Sequence, residues 1–491
     1  MGRGEGDGGA STLYDTPVSP AGRLFLRPEL EMVIHCIFTF ENPVDVDAVK
    51  AVLKSSLIKN SPRLRSLAVT ERNGRQRWKE LPEIDIDNHV IIVPEEEETG
   101  GQQTASRGDY EDDKENDIYI NEYVGALPAS MSREMPLWEM HVLPPPRRCL
   151  VLRFHHALGD GISLMALILA SCERAGDPGN PITVPGDGGE GKRRAKFSLA
   201  SSVIGVVDGA WRAMKAAWYT VVYSADLSTH AVCRKENKTT ITGGEGVELL
   251  PRKLATLTLR LDDMKAVKSK LNAKMNDVFV GMISYGIAKY LKSKYSNEAS
   301  KDAVITGLLM VNTRGESSKD LIRSIRERKK TNWGNRLGYI LLPIHLKGKA
   351  NDPLNYVRKA RAVLNRKKLS LEAHYSYKSG SLIMALFGSK VATMLNYKIL
   401  SNISMTLSNV AGPLDAITLA KNRMTKIAVT TTSLPLPLQI HMLTYNGKAF
   451  LQVLAAADII PDPELLCMYF QEALQEMKSK AMNAEDIEEK S

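Results

Sequence analysis

Nowhere among the 491 residues is there an uncharged apolar run of about 18, the length that a bilayer-crossing helix needs, so no transmembrane span is expected. The N-terminus is rich in glycine and charge and lacks the apolar core of a secretory signal. Cysteine is scarce: Cys36, Cys149, Cys172, Cys233 and Cys467 are odd in number and widely spaced. That argues against a disulfide framework or a zinc motif and for reduced thiols in a cytosol-facing protein. There is no Gly-x-Ser-x-Gly nucleophile elbow, no repeat at the period of a solenoid or propeller, and no nucleic-acid recognition motif.

What remains is ample material for a globular protein. A chain this long exceeds one ordinary core, so two domains of about 200 residues each are expected. With 43% hydrophobic residues there is enough to fill both. The formal charge of +9 suits an anionic partner, either a phosphate-bearing molecule or an acidic membrane face. The basic residues are dispersed; Lys192-Arg193-Arg194 and Arg326 to Lys330 are the densest runs and read as solvated surface.

The stretch from Phe154 to Gly161, Phe-His-His-Ala-Leu-Gly-Asp-Gly, gathers the chemistry. Cys149 to Phe154 before it reads as a short apolar strand, and Ser163 to Ala170 after it as a helix with Ser163 as N-cap. His155, His156 and Asp160 therefore stand where a strand gives way to a loop, facing a cleft from a rigid support. A neutral imidazole takes a proton from a hydroxyl near neutral pH, and a carboxylate four residues on orients it or holds the loop through an arginine. In a plainer reading the histidines end a strand and Asp160 sits near a helix start, where its charge suits the dipole.

Along the chain, residues 1–15 read as a disordered terminus and 16–180 as a first domain. Residues 181–245 read as a linker with a helix, 246–480 as a second domain, and 481–491 as a polar tail. Val46 to Ile58 has helical spacing behind Asp45, and Pro94 to Asp117, rich in acids, reads as a solvated loop. In the linker, Val203, Val207, Trp211, Met214 and Trp218 recur at helical spacing, with Asp208, Arg212 and Lys215 to one side. Such a helix either lies in a membrane interface or packs its tryptophans on a domain surface. Strands are expected at 254–261, 303–311, 337–345, 404–409, 426–432, 440–445 and 448–455, with a last helix from Pro461-Asp462-Pro463.

The motif resembles the His-His-x-x-x-Asp-Gly signature of the CoA-dependent acyltransferase superfamily. From about Pro17 to Phe470 the chain resembles the plant-type wax ester synthase/diacylglycerol acyltransferase family. The matching stretches are Ser61-Pro62-Arg63-Leu64-Arg65, Pro136-Leu137-Trp138-Glu139, Asn276-Asp277-Val278, Asn312-Thr313-Arg314, Asn332-Trp333-Gly334-Asn335 and Ser408-Asn409-Val410-Ala411-Gly412-Pro413. The resemblance implies an α/β fold of two chloramphenicol-acetyltransferase-like domains with an active-site channel between them. It implies acyl transfer from fatty acyl-CoA to a long-chain alcohol or to diacylglycerol, with His156 as general base and His155 as a positioning residue. Asp160 becomes a structural residue paired with an arginine, for which Arg314 is the candidate, and Gly161 supports the loop. Asn276, Asp277 and Asn409 shape the pocket, or else cap a helix and a turn; Trp138 reads as core. No metal and no cofactor beyond the acyl-CoA substrate is implied, and no nucleic acid. A membrane surface is implied as partner, at the cytosolic face of the endoplasmic reticulum or at the plasma membrane. Three other readings stand beside it: a superfamily branch acting on a specialised-metabolite alcohol or amine, a non-catalytic accessory of lipid elongation, and a peptide-synthetase condensation domain, which would normally sit beside a carrier domain that is not seen here. The first carries Asp-Phe-Gly-Trp-Gly near its C-terminus, absent here, and the second a decayed histidine motif, which here is intact.

Overall fold

The computed structural model describes residues 15–72, 74–95, 109–185, 202–232, 239–294, 304–327, 333–346, 352–432 and 434–483. The expected N-terminal disorder, Lys192-Arg193-Arg194, Cys233 and most of the polar tail lie outside them. In the first half the strands are β1 (Asp15–Pro17), β2 (Val33–Phe40), β3 (Ser66–Thr70), β4 (Gln76–Glu80), β5 (Val90–Ile92), β6 (Trp138–Val142), β7 (Cys149–His155) and β8 (Glu173–Arg174). Its helices are α1 (Pro20–Phe25), α2 (Val46–Val52), α3 (Asp109–Ala126) and α4 (Gly161–Ala170). A long helix, α5 (Ser202–Val232), leads to the second half. There the strands are β9 (Arg252–Arg260), β10 (Val304–Asn312), β11 (Leu337–His345), β12 (Met405–Ala411), β13 (Ile417–Leu419), β14 (Asn422–Thr431), β15 (Leu438–Tyr445) and β16 (Lys448–Ala456). The helices are α6 (Leu261–Lys270), α7 (Met275–Lys294), α8 (Ser318–Arg326), α9 (Leu354–Leu369), α10 (Glu372–Ser401) and α11 (Pro463–Asn483).

Two mixed sheets carry the fold. Seven strands run in the order β5-β6-β7-β2-β14-β13-β8 and six in the order β11-β10-β12-β15-β16-β9, with a small sheet β1-β4-β3 at the side. β2 and β7 are buried along their whole length, which explains why both read as nearly continuous apolar runs. They pair antiparallel from Val33 opposite His155 to Thr39 opposite Cys149. On its other edge β2 takes β14, with Ile37 opposite Ala428. The first sheet thus borrows β13 and β14 from residues 417–431, so a division of the chain at 181–245 does not separate the two sheets. One apolar core surrounds the first sheet and another the second. A third, smaller cluster at the seam joins Met32 to Leu308, Leu341, Ile399 and Leu434, with Phe25 against it.

Two local expectations are corrected. Residues 109–117, read as part of a solvated loop, open α3, whose Ile120 and Val124 reach the first core. The helix behind Asp45 forms as expected, capped by Asp45 Oδ1 accepting from Ala48 N at 2.9 Å, but its last turns to Ile58 widen into a π-helix. No helix among the described residues is long and apolar enough to cross a membrane.

Candidate active site

β7 delivers the motif. His155 N donates to Leu137 O on one side and His156 N to Met32 O on the other, at 3.0 and 2.8 Å, so the sheet holds the loop at both edges. The chain then turns, Leu158 N donating to His155 O, and α4 begins. Its N-cap is Asp160, not Ser163: Asp160 Oδ1 accepts from Ser163 N at 3.0 Å.

The other carboxylate oxygen faces the second half of the chain. Asp160 Oδ2 lies 2.6 Å from Arg314 Nη2 and accepts from Arg336 N at 3.0 Å. Both side chains are essentially sealed, at 0% and 1% exposure, so stranding either charge would cost about 3–5 kcal/mol. The helix-cap reading and the arginine-pair reading of Asp160 are therefore both satisfied, one by each oxygen. Ser163 Oγ belongs to the same knot: it accepts from Arg314 Nη2 at 3.0 Å and lies 3.2 and 3.1 Å from Gly334 N and O. Arg314 also donates to Gly334 O. A hydroxyl so engaged is a clamp and no nucleophile.

Residues 333–336, which lead into β11, close over the motif. Trp333 Nε1 donates to Ser163 O at 3.1 Å, and Arg63 lies over the Trp333 ring while donating to Leu158 O at 3.0 Å. Gly334 has φ of 125°, a backbone conformation that favours glycine, and a Cβ there would also press on Arg63 Nη1 at 2.8 Å.

Asn335 then decides the state of His156. Its Nδ2 donates to His156 O at 2.8 Å and to Ala157 O at 3.4 Å, which fixes which end of the amide is oxygen. Its Oδ1 lies 3.1 Å from His156 Nδ1, and an amide oxygen only accepts, so Nδ1 carries the proton. Nε2 is left with its lone pair and has no hydrogen-bond partner among the described residues. Burial pushes the imidazole down to about 4, against the pull of the Asp160 charge, so the ring is neutral at pH 7. The Phe25 ring packs on it with centroids 4.2 Å apart.

His155 lies apart from this chemistry. Its Nδ1 accepts from Ala157 N at 3.1 Å, so the neutral ring carries its proton on Nε2, which lies 3.5 Å from Glu31 Oε1. Burial lowers its pKa and Glu31 opposes that. It fixes the loop from behind. Asn276 and Asn409 meet each other, Asn409 Nδ2 donating to Asn276 Oδ1 at 2.6 Å, and tie the start of α7 to β12. Asp277 accepts from Lys274 N at 2.7 Å, so this oxygen caps α7. β12 passes the motif one residue beyond Asn409: Val410 lies 4.0 Å from where a Cβ on Gly161 would stand. Trp138 is core, its Nε1 donating to Leu64 O at 2.9 Å and its ring stacked on His89. Cys36, Cys149, Cys172 and Cys467 are free and buried, and burial pushes each thiol up. Among the described residues no group of His, Cys, Asp or Glu is placed to hold a metal ion.

The residues that sequence reasoning did not assign are Asn335, Gly334, Trp333 and Arg63, while Ser163 was expected as a helix cap and instead clamps the seam. Those four lay inside stretches that carried the family resemblance, with no role attached.

Comparison with known proteins agrees in extent with this architecture. A family model described as "Wax ester synthase/diacylglycerol acyltransferase catalytic domain" matches residues 120–279, and one described as "WS/DGAT C-terminal domain" matches 333–478. Two Arabidopsis thaliana proteins, wax ester synthase/diacylglycerol acyltransferases 11 and 2, are 30% and 31% identical, each match covering 96% of this chain and 96% of the relative. Among solved structures, a wax ester synthase/diacylglycerol acyltransferase from Marinobacter aquaeolei VT8 superposes with a TM-score of 0.56 at 19% identity, over 95% of this chain and 99% of that one. The first condensation domain of the CDA synthetase superposes with a TM-score of 0.55 at 12% identity, over 96% and 98%. The likeness to these two structures is one of fold.

Proposed function

The chain belongs to the wax ester synthase/diacylglycerol acyltransferase family, and on that premise we propose how its own residues perform acyl transfer from fatty acyl-CoA to a long-chain alcohol or to diacylglycerol. The observation that carries the proposal is the Asn335–His156 pair, which presents an unprotonated Nε2 from a buried ring. An alcohol is a weak nucleophile until its proton is leaving. His156 Nε2 takes that proton as the alcohol oxygen bonds to the thioester carbonyl carbon. The carbonyl pair moves onto oxygen, and the positive imidazolium is stabilised by the nearby Asp160 charge. When the tetrahedral centre collapses, the C–S bond breaks and the thiolate takes the proton from Nε2. Ester and free CoA thiol leave, and no acyl-enzyme forms. Asp160, Arg314, Ser163 and Gly334 hold the loop at the seam so that the base does not drift.

The lipid acceptor would arrive from a bilayer. Between 209 and 218, every residue of α5 except Ala216 is exposed, so this part of the helix stands clear of the body. It carries Trp211, Met214 and Trp218, the last 65% exposed, with Arg212 and Lys215 beside them. Where α5 rejoins the body, Leu371 N donates to Thr220 Oγ1, and Leu369 and Leu371 extend the apolar surface. Tryptophan beside cations on a projecting helix suits the headgroup region of an anionic bilayer, lying in the interface without spanning it. The bilayer we propose is the endoplasmic reticulum at its cytosolic face, or the plasma membrane.

The test is direct. Purified protein given palmitoyl-CoA with hexadecanol or with diacylglycerol should form wax ester or triacylglycerol faster than free fatty acid, and His156→Ala should abolish this. Free acid dominating with every acceptor would make the protein a thioesterase.

A further inference from the structure

The tetrahedral intermediate places a negative charge on the former carbonyl oxygen, and the knot around Asp160 offers it nothing, since those donors are all engaged. The buried face of β15 supplies an unused group. Along β15, Ile440 and Met442 belong to the core of the second domain, so Gln439, His441 and Leu443 point the other way. That other way is toward the first domain. His441 lies in one cross-strand row with Ser408, Gln452 and Thr256. At the end of that row Thr256 Oγ1 donates to Asn121 of α3 at 2.7 Å.

Two contacts fix where along the seam His441 lies. At one side Gln439 accepts from Thr431 Oγ1 and donates to Thr432 O, at 2.9 and 3.1 Å. Thr432 exchanges hydrogen bonds with Val33, the residue paired with His155. At the other side Leu443 is paired with Val410, which abuts Gly161. His441 is two residues, about 7 Å, from each of these anchors. It therefore faces the loop between His155 and Gly161 and stands across the seam from His156. The ring is 9% exposed, and its Nδ1 is buried with no hydrogen-bond partner. Burial holds the ring neutral, down to about 4, and the nearby His156 adds to that.

A buried imidazole nitrogen with no partner is destabilising unless a ligand satisfies it. Resting on the acyl-transfer reading above, we propose that His441 donates an N–H hydrogen bond to the thioester carbonyl oxygen and strengthens it as that oxygen becomes the oxyanion. No proton is transferred at His441. The two histidines divide the reaction, His156 moving the proton and His441 holding the charge.

Steady-state kinetics with palmitoyl-CoA and hexadecanol test this on the full chain, with parent and His156→Ala assayed alongside. His441→Ala should lower kcat roughly 100-fold while KM for palmitoyl-CoA stays within about threefold, as for loss of one oxyanion donor. His441→Asn, which restores an N–H, should recover about tenfold of that loss. A His441→Ala enzyme with kcat within about threefold of the parent would overturn the proposal. So would equal losses in Ala and Asn variants accompanied by equal falls in melting temperature, which mean a packing role. A raised KM for the alcohol with kcat unchanged would assign the ring to the acceptor hydroxyl and also overturn it. If the parent itself makes no ester, the acyl-transfer reading fails instead.

Discussion

At the scale of single residues the site turns on one amide. Asn335 fixes both the ring orientation of His156 and the nitrogen that carries its proton, so it is a positioning residue. Asn335→Ala should cost about 100-fold in kcat, because the neutral ring can then place its proton on Nε2 and lose the base. Asn335→Asp is more telling. A carboxylate at Nδ1 favours the imidazolium and raises the His156 pKa from about 4. The base works only when neutral, so the acidic limb of the kcat/KM profile should move from about pH 4 toward neutrality. A purely structural Asn335 would leave that limb in place. The motif histidines stood out in the sequence because they are adjacent in the chain and close to Asp160 and Gly161; the roles proposed for them are what the variants above test. Asn335 did not stand out, since 179 residues separate it from His156 and nothing in a Trp-Gly-Asn string announces a histidine partner. Asp160 was half legible: one short side chain serves as cap and as ion pair, and sequence reasoning presents these as rivals.

Among the elements, α5 and α10 show why amphipathic patterning misleads. The strands at the core were readable because burial on both faces demands apolar runs. α10 inverts the usual rule, burying Glu372, Ser376 and Thr393 while exposing Leu382, Leu386 and Phe387, the last at 64%. Glu372 is tolerated inside because Lys367 pairs with it at 2.8 Å and it accepts from Leu341 N. The helix breaks at Gly388, whose φ of 77° and ψ of −179° only glycine adopts readily. Tyr339 touches both limbs, its backbone N–H donating to Ser376 Oγ and its hydroxyl to Asn396 Oδ1, so the limbs fold back and leave Leu386 and Phe387 at the apex. Apolar groups on this apex and on α5 are where contact with lipid is expected. Replacing Trp211 and Trp218 with serine should shift the protein from the floating to the unbound fraction with anionic vesicles, while ester formation from detergent-dispersed substrates stays near the parent rate. Unchanged flotation would return α5 to a packing role, and a change in oligomeric state instead would identify a second copy of the chain as its partner.

For the molecule as a whole, the borrowed strand β14 governs assembly. Alternation along 422–431 marks a strand, but nothing local says that it joins a sheet whose other central members lie near residues 33 and 150. Without β14, β2 has one bare edge in the middle of an apolar sheet. Residues 1–180 expressed alone should therefore be insoluble, and co-expression with residues 181–491 should recover soluble protein and ester-forming activity. Soluble, monomeric 1–180 would show that the first sheet closes without its guest.

The same strand has a meaning for synthesis. Val33 and Thr432, which bond to each other, are 399 residues apart, so β2 leaves the ribosome long before its neighbour exists. At roughly 5–20 residues per second the nascent sheet waits on the order of 20–80 s with an open edge. Arg314 and Asn335 are themselves made only late in that interval, so for most of it the groups that hold His156 do not yet exist. A chain halted at its middle therefore carries the motif without the groups that hold it, and the site is completed only when the second half arrives.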